Sequence, residues 1–271
     1  VMYRMLLLCL LIGTPLIGSA QHSELLTDLL ESYPATDPVG ITQRIDGFVV
    51  NLHKKRERYS DQDFVRLIFR ESYKKFFDTY KPYAQFSEIF ESGNYDCLSA
   101  TTFLTIVLQE FNYDYKIIET NYHIFLSVET EAGPVLLEST DQYNGIVTDP
   151  KQIEQRISNY RNNKLFINPS QSDKDHYQYN LNLYQIVNPK QLTGLLIFNQ
   201  AVIAYNNKDL IKCAVKLDQA RRIYESPRTS EFAVILVKSV VASNLNEELK
   251  KDLIRPFVKY LRNSSSVIAS R

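Results

Sequence analysis

Apolar residues recur at helical spacing through the first third of the chain. They predict amphipathic helices over residues 23–32, 41–59 and 60–80, with a break at "YPATDP" after the first. Ser60 and the acidic residues behind it are typical of a helix start, because a side-chain oxygen caps free N–H groups and carboxylates favour the positive end of the helix dipole. A further short turn of helix is closed by Gly93. We therefore expect several helices before the first strand.

The pattern changes at Cys97. The segment "CLSATTFLTIVLQEF" is apolar almost all round, which is typical of a helix that is buried on most sides. The segments "YKIIET", "YHIFLSVET" and "VLLEST" then predict three strands, and the "EAGP" turn between the last two predicts an antiparallel hairpin. The expected fold class is α+β, with a buried Cys97-bearing helix packed on a small antiparallel sheet.

The remainder of the chain is predicted to be helical apart from one loop. Residues 149–162 predict a helix, and residues 168–182 predict a polar loop. From about residue 191, small and large residues alternate along two helices hinged near "YNNKD". This pair resembles one tetratricopeptide repeat, a helix pair of about 34 residues, with a degenerate second pair behind it. A plain helical bundle is the alternative.

The first twenty residues have the features of a secretory signal peptide. Arg4 precedes an apolar stretch, and the small residues "GSA" end at Ala20 as a cleavage site. An uncleaved membrane anchor is the alternative, although the apolar stretch is short for a span. We expect residues 1–20 to be removed, residues 21–190 to form the α+β domain and residues 191–271 to form a helical appendage. The protein would then be periplasmic or secreted, with no stable membrane span after cleavage.

Composition narrows the classes of partner. The 271 residues include 31 Lys and Arg against 31 Asp and Glu, so net charge argues for neither nucleic acid nor a charged membrane as a partner. Only 8 glycines make a glycine-rich nucleotide loop less expected. Two cysteines remain after cleavage, Cys97 and Cys213, at no metal-ligand spacing. In an oxidising compartment they either pair as a disulfide or leave Cys97 as a free thiol.

Cys97 is the candidate nucleophile. It stands at a predicted helix start, with Asn94 and Asp96 before it as cap formers. Free N–H groups at a helix start lower the pKa of a thiol, and the backbone amide of the nucleophile can stabilise an oxyanion. Asn94 and Tyr95 either contribute to this oxyanion pocket or only shape the turn.

A base and an orienting acid follow in order. Of the four histidines, only His123 opens an amphipathic strand; the others lie beside the cleavage site, in a basic helix end and in the polar loop. Glu138 stands on the next strand, so cross-strand contact between the two is expected in an antiparallel hairpin. Asp141 is the alternative acid. A cysteine nucleophile needs such a base and a group that orients it.

This order of motifs resembles the transglutaminase-like superfamily of the papain-like cysteine protease fold. The resemblance covers residues 61–141, through the lead-in helix "DFVRLIFRESYKKFF", the nucleophile motif "GNYDCLSATTFLTIVLQEFNYDYKII", the base motif "YHIFLSV" and the acid motif "VLLEST". It implies that Cys97 is the nucleophile, His123 the base and Glu138 the orienting group.

The chain departs from the superfamily pattern in ways that leave the reaction open. Glu138 stands where Asp is more frequent, the aromatic residue after the histidine is Phe125, one position later, and Ser139 replaces a proline-like turn. The expected function is an exported cysteine hydrolase or acyltransferase that acts on amide bonds through a thioester. The alternative is a catalytically silent domain that serves as a protein-binding scaffold.

The expected substrate is a protein or peptide, and a protein partner is expected on the C-terminal helices. No metal or organic cofactor is implied, and the cysteine chemistry proposed for Cys97 needs none.

Overall fold

The computed structural model describes residues 24–33, 35–121, 123–161 and 183–260, and its fold class is α+β. The helices are α1 (Glu24–Ser32), α2 (Pro38–Arg56), α3 (Asp61–Lys75), α4 (Glu88–Glu91), α5 (Cys97–Glu110), α6 (Pro150–Arg161), α7 (Pro189–Asn206), α8 (Leu210–Ile223), α9 (Pro227–Ala242) and α10 (Glu247–Ile254), which a 3₁₀ turn (Arg255–Phe257) follows. The strands are β1 (Thr79–Tyr80), β2 (Asn94–Tyr95), β3 (Tyr115–Thr120), β4 (Ile124–Val128), β5 (Val135–Leu137), β6 (Ile146–Val147) and β7 (Tyr184–Val187).

The larger sheet is antiparallel throughout, in the order β6-β5-β4-β3-β7. Its three middle strands are the predicted ones, and the predicted hairpin of β4 and β5 is confirmed. Gly133 lies in the turn between them at φ +109°, a conformation that favours glycine. The edge strands β6 and β7 are not predicted by the pattern, because two to four residues are too few to display alternation.

Both faces of this sheet are covered by helices. Every residue of β4 is buried. Ile124 and Leu126 join the main core with α5, whereas Phe125 points to the other face and joins a smaller cluster with residues of α6. The strands therefore read as nearly continuous apolar runs, and the sheet lies between α5 and α6.

The helix that begins at Cys97 is the centre of the core. Its residues from position 98 to position 108 are all buried, as the pattern predicts. Asp96 and Ser99 form a reciprocal cap, since each side chain accepts a hydrogen bond from the other's backbone N–H. Four aromatic rings surround Phe103 at centroid distances of 4.8–6.0 Å: Phe48, Phe76, Phe77 and Phe90.

The predicted C-terminal helices are present and share the same core. Leu192 and Leu196 of α7 belong to the buried cluster that contains Phe103, and α7 packs against α1 and α5. At Gly194, α7 approaches the end of α8 so closely that an added Cβ would lie 2.8 Å from the Cβ of Tyr224. The expected boundary near residue 190 thus lies within a continuous core.

The third helix is shorter than the sequence pattern predicts. It ends at Lys75, and residues 79–80 form β1, which pairs in parallel with β2. The prediction of a helix as far as Tyr80 is therefore wrong. The N–H groups of Asp78 and Thr79 donate to the carbonyl of Gly93, which replaces the helical hydrogen bonds. This turn brings the rings that precede it into the core around α5.

Some sequence predictions fall on other parts of the chain. The predicted signal peptide over residues 1–20 and the predicted polar loop over residues 168–182 lie outside the described residues. Within the described ranges, no helix has the length and apolar character that crossing a membrane requires.

Removing the ring at the centre of the core should destabilise the protein strongly. We expect Phe103→Ala to lower the free energy of unfolding by about 3–5 kcal/mol, because it deletes a fully buried ring and leaves a cavity. Urea unfolding followed by circular dichroism measures this change. Val50→Ala, on the exposed side of α2, is the control and should cost less than about 0.5 kcal/mol. Equal losses for the two variants would contradict the central position of Phe103.

Candidate active site

Cys97 is the first residue of α5 and is partly exposed. The Asp96 carboxylate accepts hydrogen bonds from the N–H groups of Leu98 and Ser99, the next two positions of the helix. The N–H of the first helical residue has no acceptor within the helix. The Cys97 amide is therefore placed to stabilise an oxyanion that forms beside its own thiol.

His123 and Glu138 meet at the open end of the β4–β5 hairpin. The register pairs Leu126 with Leu137, so Glu138 lies opposite Phe125 and His123 is its diagonal neighbour on the same face. Nε2 of His123 and Oε2 of Glu138 form a hydrogen-bonded ion pair. The side chains are only 16% and 3% exposed. The structure thus brings together the two groups that the sequence predicts to be in contact.

The Cys97 thiol interacts with the same imidazole. Burial alone would lower the pKa of His123, but the charge of Glu138 and hydrogen bonds with the Cys97 and Glu138 side chains raise it above its usual value. Because Nε2 is engaged by Glu138, Nδ1 is the ring nitrogen that remains for another partner. The thiol therefore lies near an imidazole that the carboxylate orients.

Glu138 has the partners that a buried carboxylate needs. Thr140 donates its N–H at 2.9 Å and its hydroxyl at 2.7 Å to Oε1, and the Tyr160 hydroxyl donates to Oε2. Burial alone would raise the pKa of Glu138, but the charge of His123 and these hydrogen bonds hold it well below its usual value. The carboxylate therefore stays ionised and fixed at neutral pH, as an orienting group must be.

Tyr160 of α6 is a site residue that the sequence pattern does not single out. Its ring stacks on His123 at a centroid distance of 5.2 Å and on Phe125 at 4.7 Å, while its hydroxyl donates to Glu138. The local pattern marks Tyr160 only as part of an amphipathic helix. Its role follows from the way that α6 folds back across the sheet.

Hydroxyl groups hold the two halves of the site together. Ser139 donates to the carbonyl of Cys97 at 3.2 Å, and Tyr73 of α3 donates to the carbonyl of Ser139 at 2.6 Å. Thr101 of α5 lies with its hydroxyl oxygen 3.4 Å from that of Ser139. These contacts connect Glu138 and Ser139, which directly follow β5, to the start of α5.

Two tyrosines between α3 and α5 lie near the thiol. Tyr80 is 49% exposed. Partial burial raises the pKa of its hydroxyl, and the interaction with Cys97 raises this pKa further. Burial also raises the pKa of Tyr83, against the opposing charge of Arg228. The backbone of Tyr83 has φ +61° and donates its N–H to Asp96. Both rings are therefore partly exposed and interact electrostatically with Cys97.

The two residues predicted for the oxyanion pocket have other partners. The amide of Asn94 donates to Glu88 at 3.2 Å, and the ring of Tyr95 stacks on Phe77 at 5.0 Å. Both residues belong to β2, and their side chains shape the approach to α5. This arrangement corresponds to the alternative in which they only shape the turn.

Asp141, the alternative acid, caps a turn. Its Oδ1 atom accepts N–H groups from Tyr143 at 3.2 Å and from Asn144 at 2.8 Å, and its Oδ2 atom lies 3.9 Å from the guanidinium of Arg156. Glu138 is therefore the carboxylate that contacts the histidine.

Cys213 is buried, whereas Cys97 is partly exposed. It is fully buried in α8, and burial followed by the charge of Asp209 raises its pKa to about 12. Both thiols are free, so the disulfide alternative is not realised in this structure. A buried thiol with a raised pKa is inert.

Other candidate groups lie away from this site. His53 of α2 packs on Phe111 at a centroid distance of 4.4 Å, at the far end of α5 from Cys97. A depression of about 390 Å³ also opens there and includes Arg56 and Asp61 in its lining. In the part of the chain that the structure describes, no group of three or more metal-ligating side chains is found.

Comparisons with known proteins found no relative. No protein-family model, no curated protein and no solved structure matches this chain.

The His123–Glu138 pair should make stability depend on pH. The lowered pKa of Glu138 contributes stability above about pH 4.3, which is lost as pH falls through the folded value. The raised pKa of His123 contributes stability below about pH 6.5, which is lost as pH rises through the folded value. Relative to the double variant His123→Gln/Glu138→Gln, the wild type should gain most between about pH 4.5 and 6.5.

Urea unfolding at several pH values measures this difference. The exposed ion pair of Lys116 and Glu129 provides the control, since replacing both residues by Gln should change stability by less than about 1 kcal/mol at any pH. A difference for the buried pair that does not vary with pH would contradict the charge assignment.

The hydroxyl of Tyr160 should contribute separately from its ring. Tyr160→Phe keeps the stack on His123 but removes a donor from the buried Glu138 carboxylate, so we expect a loss of about 1–3 kcal/mol in unfolding free energy at pH 6. Tyr143→Phe is the control, because Tyr143 is 89% exposed. If the two substitutions have the same effect, the Tyr160–Glu138 hydrogen bond does not stabilise the site.

Proposed function

We propose that this protein is an exported cysteine hydrolase or acyltransferase that acts on amide bonds. Cys97 is the nucleophile, His123 the general base and acid, and Glu138 the orienting carboxylate. The observation that carries the proposal is the buried His123–Glu138 pair, with the Cys97 thiol at the start of α5 near the same imidazole. A nucleophile, a base and an orienting group in mutual contact are the requirement for covalent acyl transfer.

The proposal includes the papain-like, transglutaminase-like core that the order of motifs resembles. Two features support this core. A helix that begins with the nucleophile packs on an antiparallel sheet, and two adjacent strands of that sheet present the histidine and the acid at the same end. The partly exposed rings of Tyr80 and Tyr83 near Cys97 support a protein or peptide substrate, since aromatic rings pack against apolar side chains.

Acylation begins from the Cys97 thiolate beside the protonated imidazole of His123. The thiolate sulfur attacks the carbonyl carbon of the amide, and the carbonyl π electrons move to oxygen. The backbone N–H of Cys97 is placed to donate to this oxyanion. When the tetrahedral intermediate collapses, the C–N bond breaks, His123 protonates the leaving amine, and a thioester remains on Cys97.

Deacylation follows the same path in reverse with a second nucleophile. His123 accepts a proton from water or from an amine, the nucleophile attacks the thioester carbonyl, and the C–S bond breaks. Water releases a carboxylic acid, whereas an amine forms a new amide. Throughout the cycle Glu138 stays ionised, keeps the imidazole oriented and stabilises its protonated form.

Export is proposed from the first twenty residues alone. A positive residue, an apolar stretch and a small-residue cleavage site ending at Ala20 are in the order of a secretory signal. Sequencing the N-terminus of the protein recovered from the periplasm or medium tests this part of the proposal.

The reactivity of Cys97 tests the enzymatic proposal directly. We expect iodoacetamide to label Cys97 rapidly below pH 7 in the wild type, because the imidazolium of His123 stabilises the thiolate. His123→Ala should slow labelling at pH 6 by about tenfold or more, and Glu138→Gln should slow it to a smaller extent. Mass spectrometry of the labelled peptides gives both rates.

Two internal controls make this experiment selective. Cys213 should stay unlabelled in every folded variant, so its labelling reports unfolding. Asp141→Asn removes a nearby carboxylate that caps a turn and should leave the rate unchanged. If the wild type instead follows an ordinary thiol titration near pH 8.5 and does not respond to His123→Ala, the enzymatic proposal fails in favour of the scaffold alternative.

A further inference from the structure

A buried polar cluster joins the C-terminal helices to the central sheet. Glu119 of β3 is 2% exposed, and one of its carboxylate oxygens accepts hydrogen bonds from Tyr224 at 2.7 Å and Gln185 at 2.9 Å. Its other oxygen lies 3.3 Å from Nε of Arg228, in the first turn of α9. A charge at this depth needs such partners, because an unpaired buried carboxylate is strongly destabilising.

The same guanidinium holds the backbone next to His123. One terminal nitrogen of Arg228 donates to the carbonyl of Thr120 at 2.7 Å and to that of Asn121 at 3.0 Å. Thr120 in turn donates its N–H at 2.8 Å and its hydroxyl at 3.0 Å to the carbonyl of His123. Arg228 is therefore connected to the backbone of the candidate base through one intervening residue.

We propose that Arg228, braced by Glu119, is a positioning residue that sets the location of the His123 imidazole relative to Cys97. This inference rests on the proposed function and deepens it. Arginine suits the task because its planar group can contact a carboxylate and donate to backbone carbonyls at the same time, which lysine cannot do equally well. A base displaced by about 1 Å from its nucleophile loses much of its effect.

A second contact reaches the other side of the site. Asn199 of α7 donates to the carboxylate of Asp96 at 3.3 Å, and Asp96 caps the helix that begins at Cys97. The C-terminal helices thus contact the backbone that carries the base and the residue that caps the nucleophile's helix. A ligand or partner that moved α9 would be expected to move the base with it.

Variants of the Arg228–Glu119 pair test this role. Arg228→Met leaves a buried carboxylate unpaired and can unfold the protein, so the decisive variant is the double change Glu119→Gln/Arg228→Met, which removes both charges. Arg228→Lys keeps the charge without the planar fork and should rescue in part. Lys238→Met, at an exposed position of the same helix, is the matched control.

Two measurements are made on each full-length variant. Hydrogen exchange followed by mass spectrometry reports on the peptide that contains Thr120 and His123, and it should become faster in the double variant. The ratio of Cys97 labelling by iodoacetamide at pH 6 to that at pH 9.5 should fall by about tenfold or more, because a displaced imidazole no longer stabilises the thiolate. General loosening of the fold would instead make iodoacetamide label Cys97 faster, and it would also make Cys213 accessible to labelling.

A folded double variant with wild-type exchange in this peptide, or with a wild-type labelling ratio, would overturn the positioning role. The proposed function fails on a different observation, namely an ordinary thiol titration in the wild type that is insensitive to His123→Ala. In that case hydrogen exchange alone decides whether Arg228 holds the backbone beside His123, and unchanged exchange would overturn the inference.

Discussion

The buried pair of His123 and Glu138 sets the demands that the rest of the site meets. Two ionised groups lose several kcal/mol of hydration when they leave water, and their mutual attraction compensates only when the remaining hydrogen-bonding positions are filled. Thr140 and Tyr160 fill them on the carboxylate, and the Cys97 thiol shares the imidazole. The pair is therefore stable only where strands β4 and β5, helix α6 and the start of α5 converge.

The groups that converge there lie at the ends of packed elements: His123 directly precedes β4, Glu138 directly follows β5 and Cys97 begins α5. The sheet is covered by α5 on one face and α6 on the other, so its strands cannot shift without disrupting a packed core. Ser139 connects the end of β5 to the first turn of α5, and Arg228 connects α9 to the backbone before β4. These contacts restrict the movement of the three side chains relative to one another.

The two free cysteines show how environment decides the chemistry of a single residue type. Cys97 is partly exposed at a helix N-terminus and interacts with an imidazole whose pKa is raised. Cys213 lies inside a helix, fully buried, with the charge of Asp209 disfavouring its thiolate. Composition alone does not distinguish these two cysteines and leaves a disulfide between them as an alternative; the packing of the chain leaves Cys97 partly exposed and buries Cys213.

The sequence by itself determined the main helices, the three middle strands of the larger sheet and the pairing of His123 with Glu138. These features depend on residues that are close together along the chain. Periodicity predicts the α+β class, and the short hairpin places His123 and Glu138 side by side within 15 residues of each other. The early end of α3, the edge strand β7, and the roles of Tyr160 and Arg228 were decided only by the tertiary structure. Arg228 meets its backbone partners across more than 100 residues. No local pattern encodes such contacts, since they arise only when separate elements pack into one core.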